Sequence, residues 1–380
     1  MLQSASDGNL ELLTFPVEMR PYSGRSQMRN TPLFFLTTAG VAMSSLVAPG
    51  FASPPDLPMP TVDLSIYRQV VEICFVVKDL DRTVDYWEKL GLKNIRRMGT
   101  QELPGILYRG GKSPLTLKMA RGNIGAVRVT WIEPIWGSSD YGSFLKRHGH
   151  GVHHLTFAVK SPDELDKQVQ CFKAKGVGVV MEGTWKREHG EARFADLDTA
   201  DRGGGFTFEL LYDPDLPARG THPASENEEP FNKLTQYAFV VRDLRKVGLF
   251  YEDLGFDGTA RDYINYSSNP ERYYRGTPGK FEIYVGYWRW GTVNFEWIES
   301  AAGPSVFEEY LRNHGEGIQH VAVEVEDMDK SLATMNVKGV KVAQSGAFNY
   351  QNRRGRFAYI DTEPGTGVMI EFIWRETGNR

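Results

Sequence analysis

The feature that most constrains this chain is that its second half repeats its first. Val-Val-Lys-Asp-Leu at 76–80 returns as Val-Val-Arg-Asp-Leu at 240–244, each leading into a helical pattern that ends in Leu-Gly (Leu90-Gly91 and Leu254-Gly255). Tyr108-Arg109-Gly110 returns as Tyr274-Arg275-Gly276, and Trp131-Ile132-Glu133 as Trp297-Ile298-Glu299. Arg193-Phe194-Ala195 and Asp198-Thr199 return as Arg356-Phe357-Ala358 and Asp361-Thr362. The offset stays between 162 residues (Glu209 to Glu371) and 166 residues (Trp131 to Trp297), which chance agreement does not produce.

Each half divides again. A strand, a helix and three more strands are read from 68 to 134 and once more from 151 to 213, with helices at Asp81–Leu90 and Pro162–Lys175 from the 3.6-residue period and strands from alternation. The chain is therefore expected to be an α+β protein of four βαβββ units, paired into two curved-sheet cups. The halves span 66–213 and 231–376, and the Pro-, Glu- and Asn-rich stretch 214–230 links them.

A chain of 380 residues with 41% hydrophobic and 24% charged content carries an ordinary globular core, and a net charge of −4 provides no basic field for nucleic acid or an anionic membrane. The two cysteines, Cys74 and Cys171, form no metal-binding run; they read as packed thiols, with a disulfide open if the protein is exported. Residues 1–55 resemble a leader. Arg20, Arg25 and Arg29 precede the apolar run Pro32–Ala48, small residues follow at Gly50-Phe51-Ala52, and Met28 offers an alternative start. The run is too short and too polar for a membrane span, so the mature chain is expected to be periplasmic or secreted, or cytoplasmic if the leader is a disordered tail.

The segment Phe307–Ala322, with His314-Gly315-Glu316-Gly317 leading into Gln319-His320, resembles the vicinal oxygen chelate superfamily, which includes glyoxalase I, methylmalonyl-CoA epimerase, extradiol dioxygenases and bleomycin-resistance proteins. The resemblance covers about residues 68–376. It implies that two units form one cup and that metal ligands stand on the first and last strands of each unit. Position by position it selects Glu72, Thr130, His154 and Glu209 in the first half, and Gln236, Glu296, His320 and Glu371 in the second. Thr130 is no strong ligand, so the second set is the fuller one and resembles the Gln/Glu/His/Glu ligation of animal-type glyoxalase I.

Imidazole with carboxylate and amide oxygens suits a borderline or hard divalent ion (Zn, Ni, Co, Mn or Fe), one or two per chain, and a set of three or four leaves room for a small-molecule substrate. The resemblance implies an isomerase, epimerase or lyase acting next to a carbonyl by metal-stabilised enolate chemistry, with Glu371, Glu296, Glu72 and Glu209 as candidate acids and bases. Glu72 and Gln236 stand where an extradiol enzyme would place its first His, which counts against a ring-cleaving dioxygenase; a metal-free ligand-sequestering protein is the remaining alternative. Export would count against coenzyme A thioesters and the glutathione hemithioacetal as substrates. Arg128 and Thr130 are candidate substrate contacts, with an Arg128 ion pair to Glu72 or Glu209 as the structural alternative. His148 and His314 read as surface or turn-capping groups, and the loops Gly183–Glu191 and Gly346–Arg354 as lids or plain hairpins. The second-half aromatics Tyr273, Tyr274, Tyr284, Tyr287, Trp288 and Trp290 read as a stacking surface, a contact between halves or core. A homodimer is also open.

Overall fold

The computed structural model describes residues 61–216, 227, 229–256, 260–265, 271–290, 293–350 and 353–376; the leader, most of the linker and the Trp290 side chain lie outside what is described. The first half runs β1 (Glu72–Val76), α1 (Leu80–Leu90), β2 (Arg96–Leu103), β3 (Ile106–Tyr108), β4 (Gly111–Lys112), β5 (Leu115–Ile124), β6 (Val127–Trp136), α2 (Asp140–His148), β7 (Gly151–Ala158), α3 (Pro162–Ala174), β8 (Val179–Arg187), β9 (Gly190–Leu197) and β10 (Thr207–Tyr212). The second half runs β11 (Leu234–Val241), α4 (Leu244–Asp253), β12 (Ala260–Asn265), β13 (Tyr273–Tyr274), β14 (Thr277–Pro278), β15 (Glu282–Trp290), β16 (Val293–Ala302), α5 (Val306–Asn313), β17 (Gly317–Glu324), α6 (Met328–Val337), β18 (Val342–Tyr350), β19 (Arg353–Ile360), α7 (Glu363–Thr366) and β20 (Met369–Arg375). No helix among the described residues is long and apolar enough to cross a membrane.

Each half forms one ten-stranded sheet with the same order, β2-β5-β6-β1-β7-β10-β9-β8-β3-β4 and its counterpart β12-β15-β16-β11-β17-β20-β19-β18-β13-β14. The short β3–β4 hairpin leaves its own unit and pairs with β8 of the next one, as β13 pairs with β18, so each cup is clasped across its two units. The repeated motifs are its joints. Asp79 and Asp243 cap α1 and α4, their carboxylates accepting from the Arg82 and Lys246 amides at 3.0 Å. The Glu of each Trp-Ile-Glu accepts from the first helical amide at 2.9 Å, Glu133 from Leu80 and Glu299 from Leu244. Arg109-Gly110 and Arg275-Gly276 take positive φ at both central positions of the clasp turn, which the right-handed strand twist favours.

Alternation divides the interior into three apolar clusters. One contains Ile73, Phe75, Trp87, Trp131 and Phe208 together with Phe239, Tyr251, Trp288 and Trp297, so the helix-covered faces of both sheets share a single core. Two smaller clusters fill the cups: Cys74, Val76 and Tyr141 in the first, Val240, Phe307 and Tyr359 in the second. Both cysteines are free, which removes the disulfide alternative.

Gly203-Gly204-Gly205 forms the turn between β9 and β10, and it also carries a contact between halves. Gly205 has φ +86°, and a Cβ there would land on the Glu316 carbonyl. Gly205→Ala is therefore expected to destabilise the protein by at least roughly 2–3 kcal/mol in thermal or denaturant unfolding, through a clash with backbone as well as a strained φ.

Candidate metal centres

Adjacent strands bring the second-half residues together. Gln236 on β11, Glu296 on β16, His320 on β17 and Glu371 on β20 are all buried on the concave face. His320 Nε2 lies 3.4 Å from Glu371 Oε2 and 3.7 Å from Glu296 Oε2, and the Gln236 amide donates to Glu296 Oε2. His320 Nε2 and Glu371 Oε2 have no hydrogen-bond partner among the described residues. Two ligand atoms on one ion at about 2.0–2.2 Å stand within about 4.4 Å of each other, so each carboxylate lies at a distance from His320 Nε2 that two ligands of one divalent cation can have. Burial, with the Glu371 charge beside it, pushes the Glu296 carboxyl up to about 8, against a hydrogen bond from Tyr287. Tyr287 thus belongs to the site, whereas Trp288 is core, Tyr284 packs against that core, Tyr274 donates to Glu309 and Tyr273 is exposed.

A β-bulge orients the imidazole. The register between β11 and β17 passes from Ala238–His320 to Phe239–Ile318, leaving Gln319 unpaired. Its Oε1 accepts from His320 Nδ1 at 2.6 Å, which places the ring's free lone pair on Nε2, toward the carboxylates. The first half has the same bulge. Cys74–His154 is followed by Phe75–Val152, and the extra residue is His153. His153 joins His154 ring to ring, Nδ1 to Nδ1 at 2.9 Å, and its Nε2 meets Asp140 Oδ2 at 3.0 Å. Two polar residues in succession within an otherwise alternating strand were the available sign of this bulge, and alternation alone passes over it.

The first cup encloses about 230 Å³ and brings Glu72, Thr130, His154 and Glu209 to its lining, but in a different arrangement. Glu72 is ion-paired to Arg128, so of the two expectations for Arg128 the ion pair is the one realised. Glu209 accepts from Thr156 Oγ1 at 2.9 Å and lies 3.6 Å from His154 Nε2. Burial and the Glu72 charge push Glu209 up to about 8, opposed by that Thr156 bond and by Arg128. Thr130 Oγ1 is buried without a partner among the described residues.

Of the two readings of Gly183–Glu191 the plain hairpin is the one realised: it is the strand end of β8 and the start of β9 around a turn at Glu188-His189 held by Asp215, and Gly346 likewise lies inside β18. One expectation needs correction. His148 and His314 are not surface caps. His148 is buried against Tyr310 of the other half, Nε2 to Oη at 2.9 Å, and His314 Nδ1 donates to the His148 carbonyl at 2.7 Å, because the two Gly-flanked helix ends meet at the junction of the halves.

Comparison with known proteins agrees with this architecture. A search of curated protein sequences finds no match. Among solved structures, a mutant of 4-hydroxymandelate synthase from Streptomyces coelicolor is 16% identical with a TM-score of 0.52, covering 85% of this chain and 95% of that one. A fusion of a xylose isomerase-like TIM barrel with 4-hydroxyphenylpyruvate dioxygenase is 15% identical (TM-score 0.49; 86% of this chain, 52% of that one). A Mn(II)-bound glyoxalase from Novosphingobium aromaticivorans is 13% identical (TM-score 0.43; 81% and 82%). At these identities the first similarity speaks to fold alone. The sequence profile of one family matches residues 72–195 and again 235–359, one copy in each half, and the chain therefore belongs to the Glyoxalase/Bleomycin resistance protein/Dioxygenase superfamily.

Proposed function

We propose that this protein is a divalent-metal-dependent enzyme whose working centre is the second cup, and that it moves a proton at a carbon next to a carbonyl of a small organic substrate, as an isomerase, epimerase or lyase does. The observation that carries this reading is a pair of buried atoms without a hydrogen-bond partner among the described residues, His320 Nε2 and Glu371 Oε2, 3.4 Å apart at the base of a carboxylate-lined cup. Gln236, Glu296, His320 and Glu371 would hold the ion. When bound, a divalent cation supplies Lewis acidity to two neighbouring substrate oxygens. The chain does the rest: Gln319 fixes the His320 tautomer, the apolar wall of Val240, Phe307 and Tyr359 excludes water, and the Glu296 carboxylate, beside the ion, takes up and returns the substrate proton. A lone His with Gln236 in place of a second one supports proton transfer over oxygen chemistry.

The test is proton exchange. Metal-loaded protein incubated in D2O under argon with a panel of small α-hydroxy and α-keto carbonyl compounds is expected to exchange the carbon-bound proton, read by NMR, and to lose the exchange after chelation. Exchange equal in loaded and chelated samples, or turnover only with consumption of oxygen, would sink the reading.

A further inference from the structure

The first cup keeps a buried carboxylate that the ligand positions discussed so far do not use. Asp196 lies on β9 directly across from Glu209 on β10, and so projects to the same concave side. One cross-strand row carries Arg128, Glu72, Thr156, Glu209 and Asp196. Within it Glu72 has Arg128 and Glu209 has Thr156. Asp196 is fully buried, and neither of its oxygens has a hydrogen-bond partner among the described residues. One carboxylate oxygen of Asp196 and one ring nitrogen each of His153 and His154 lie within 4.8 Å of one another. A carboxylate in such a place calls for a positive partner. The corresponding residue of the second half is Tyr359, packed edge-on against His320 at 4.8 Å, so the acid is particular to the half that has Thr130 in place of a glutamate.

We propose that the first cup binds its own divalent cation, with Asp196 taking over the ligand role lost at Thr130 and completing a set with His154 and Glu209. His153 is then a positioning residue: anchored on Asp140, it holds His154 so that Nε2 faces the ion. Glu72 stays with Arg128 at the wall. A set of one imidazole and two carboxylates is rich in hard oxygen donors, and fits Mn(II) or Mg(II) as well as zinc. The inference rests on the reading that these cups hold divalent ions, and its test separates the two.

The full chain carrying His320→Ala, which empties the second cup, is stripped with chelator and titrated with Mn(II), with free ion read by electron paramagnetic resonance and stability by thermal unfolding. It is expected to retain a Mn(II) site and a Mn(II)-dependent rise in Tm. Adding Asp196→Asn is expected to weaken that site by roughly tenfold or more, a loss that removal of an outer-shell partner alone can reach. The metal-free Tm should hold, because asparagine keeps the size and shape of the buried acid; should the asparagine protein fail to fold, Asp196→Ser repeats the titration. Wild-type protein that binds Mn(II) while His320→Ala binds none overturns the first-cup site and leaves the second intact. Undiminished binding in the Asp196 variants overturns the role of Asp196. No binding by the wild type overturns both readings.

Discussion

Glu371→Ala is expected to strip the second cup of its cation and to lower turnover by roughly a hundredfold to a thousandfold or more, the scale on which a single group stabilising developing charge acts. The reasoning is electrostatic. Glu371 Oε2 and His320 Nε2 are buried with no other partner among the described residues, and Glu296 is held up to about 8 in part by the Glu371 charge. Removing Glu371 takes away a ligand and relieves that repulsion at the same time. The metal-free variant should therefore unfold no earlier than wild type while the second cup's share of the metal-induced gain in Tm disappears, a combination that a merely damaged core does not give. Metal analysis of purified protein, read beside Glu209→Ala, checks it: Glu209→Ala should leave second-cup metal and turnover in place. Full metal occupancy and activity in Glu371→Ala would place the centre elsewhere.

The second large effect is on pH. In chelated protein Glu296 and Glu209 titrate near 8 in the folded state, from an ordinary value of 4.5, chiefly because burial disfavours their charge. Between about pH 4.5 and pH 8 the folded chain thus holds protons that the unfolded chain has released, so the unfolded state gains on it as pH rises. Stability from these groups is complete below about 4.5, falls across that window and levels off above about 8. The total is up to roughly 5 kcal/mol for each group, worth about 1–2 °C of Tm per kcal/mol in a chain of this size. Bound cation reverses the slope, because it requires the deprotonated ligands and its affinity climbs with pH over the same window. The gap in Tm between loaded and chelated protein should accordingly widen from pH 5 to pH 8. Glu296→Gln and Glu209→Gln should each flatten the chelated curve. A chelated Tm that rises through this window, or glutamine variants with the wild-type slope, would contradict the assignment.

Much of this molecule was legible as text because its repeated words are structural joints: an N-cap, a helix-capping Glu, a two-residue turn with positive φ. The resemblance also singled out Glu72, His154, Gln236 and His320, and the structure buries all four on adjacent strands. What the text concealed were features that break the period or cross between units. The bulges at His153 and Gln319 put two successive side chains to use, one facing the cup and one behind it, and strict alternation assigns the second to the wrong side. The β3–β4 clasp is short and joins a non-neighbouring strand, so no local pattern announces it. His148 and His314 meet only because the halves pack together. Asp196 left one trace, a charge inside the apolar run Phe194–Leu197 where the other half has Tyr359.

The shared core has a further implication for how the two halves came to differ. Positions on the helix-covered faces keep large aromatic rings in both copies: Phe75 and Phe239, Trp87 and Tyr251, Trp131 and Trp297. Positions on the concave faces keep the imidazole (His154, His320) and the last-strand carboxylate (Glu209, Glu371) but not the rest of their chemistry: Glu72 against Gln236, Arg128 against Asn294, Thr130 against Glu296, Asp196 against Tyr359. The rings of one copy pack against those of the other, so a change there disturbs two sheets at once. A change inside a cup is felt in that cup alone. A duplicated chain folded this way is welded together at its back and free to specialise at its front, and one interior can take up a new ligand while its twin keeps working.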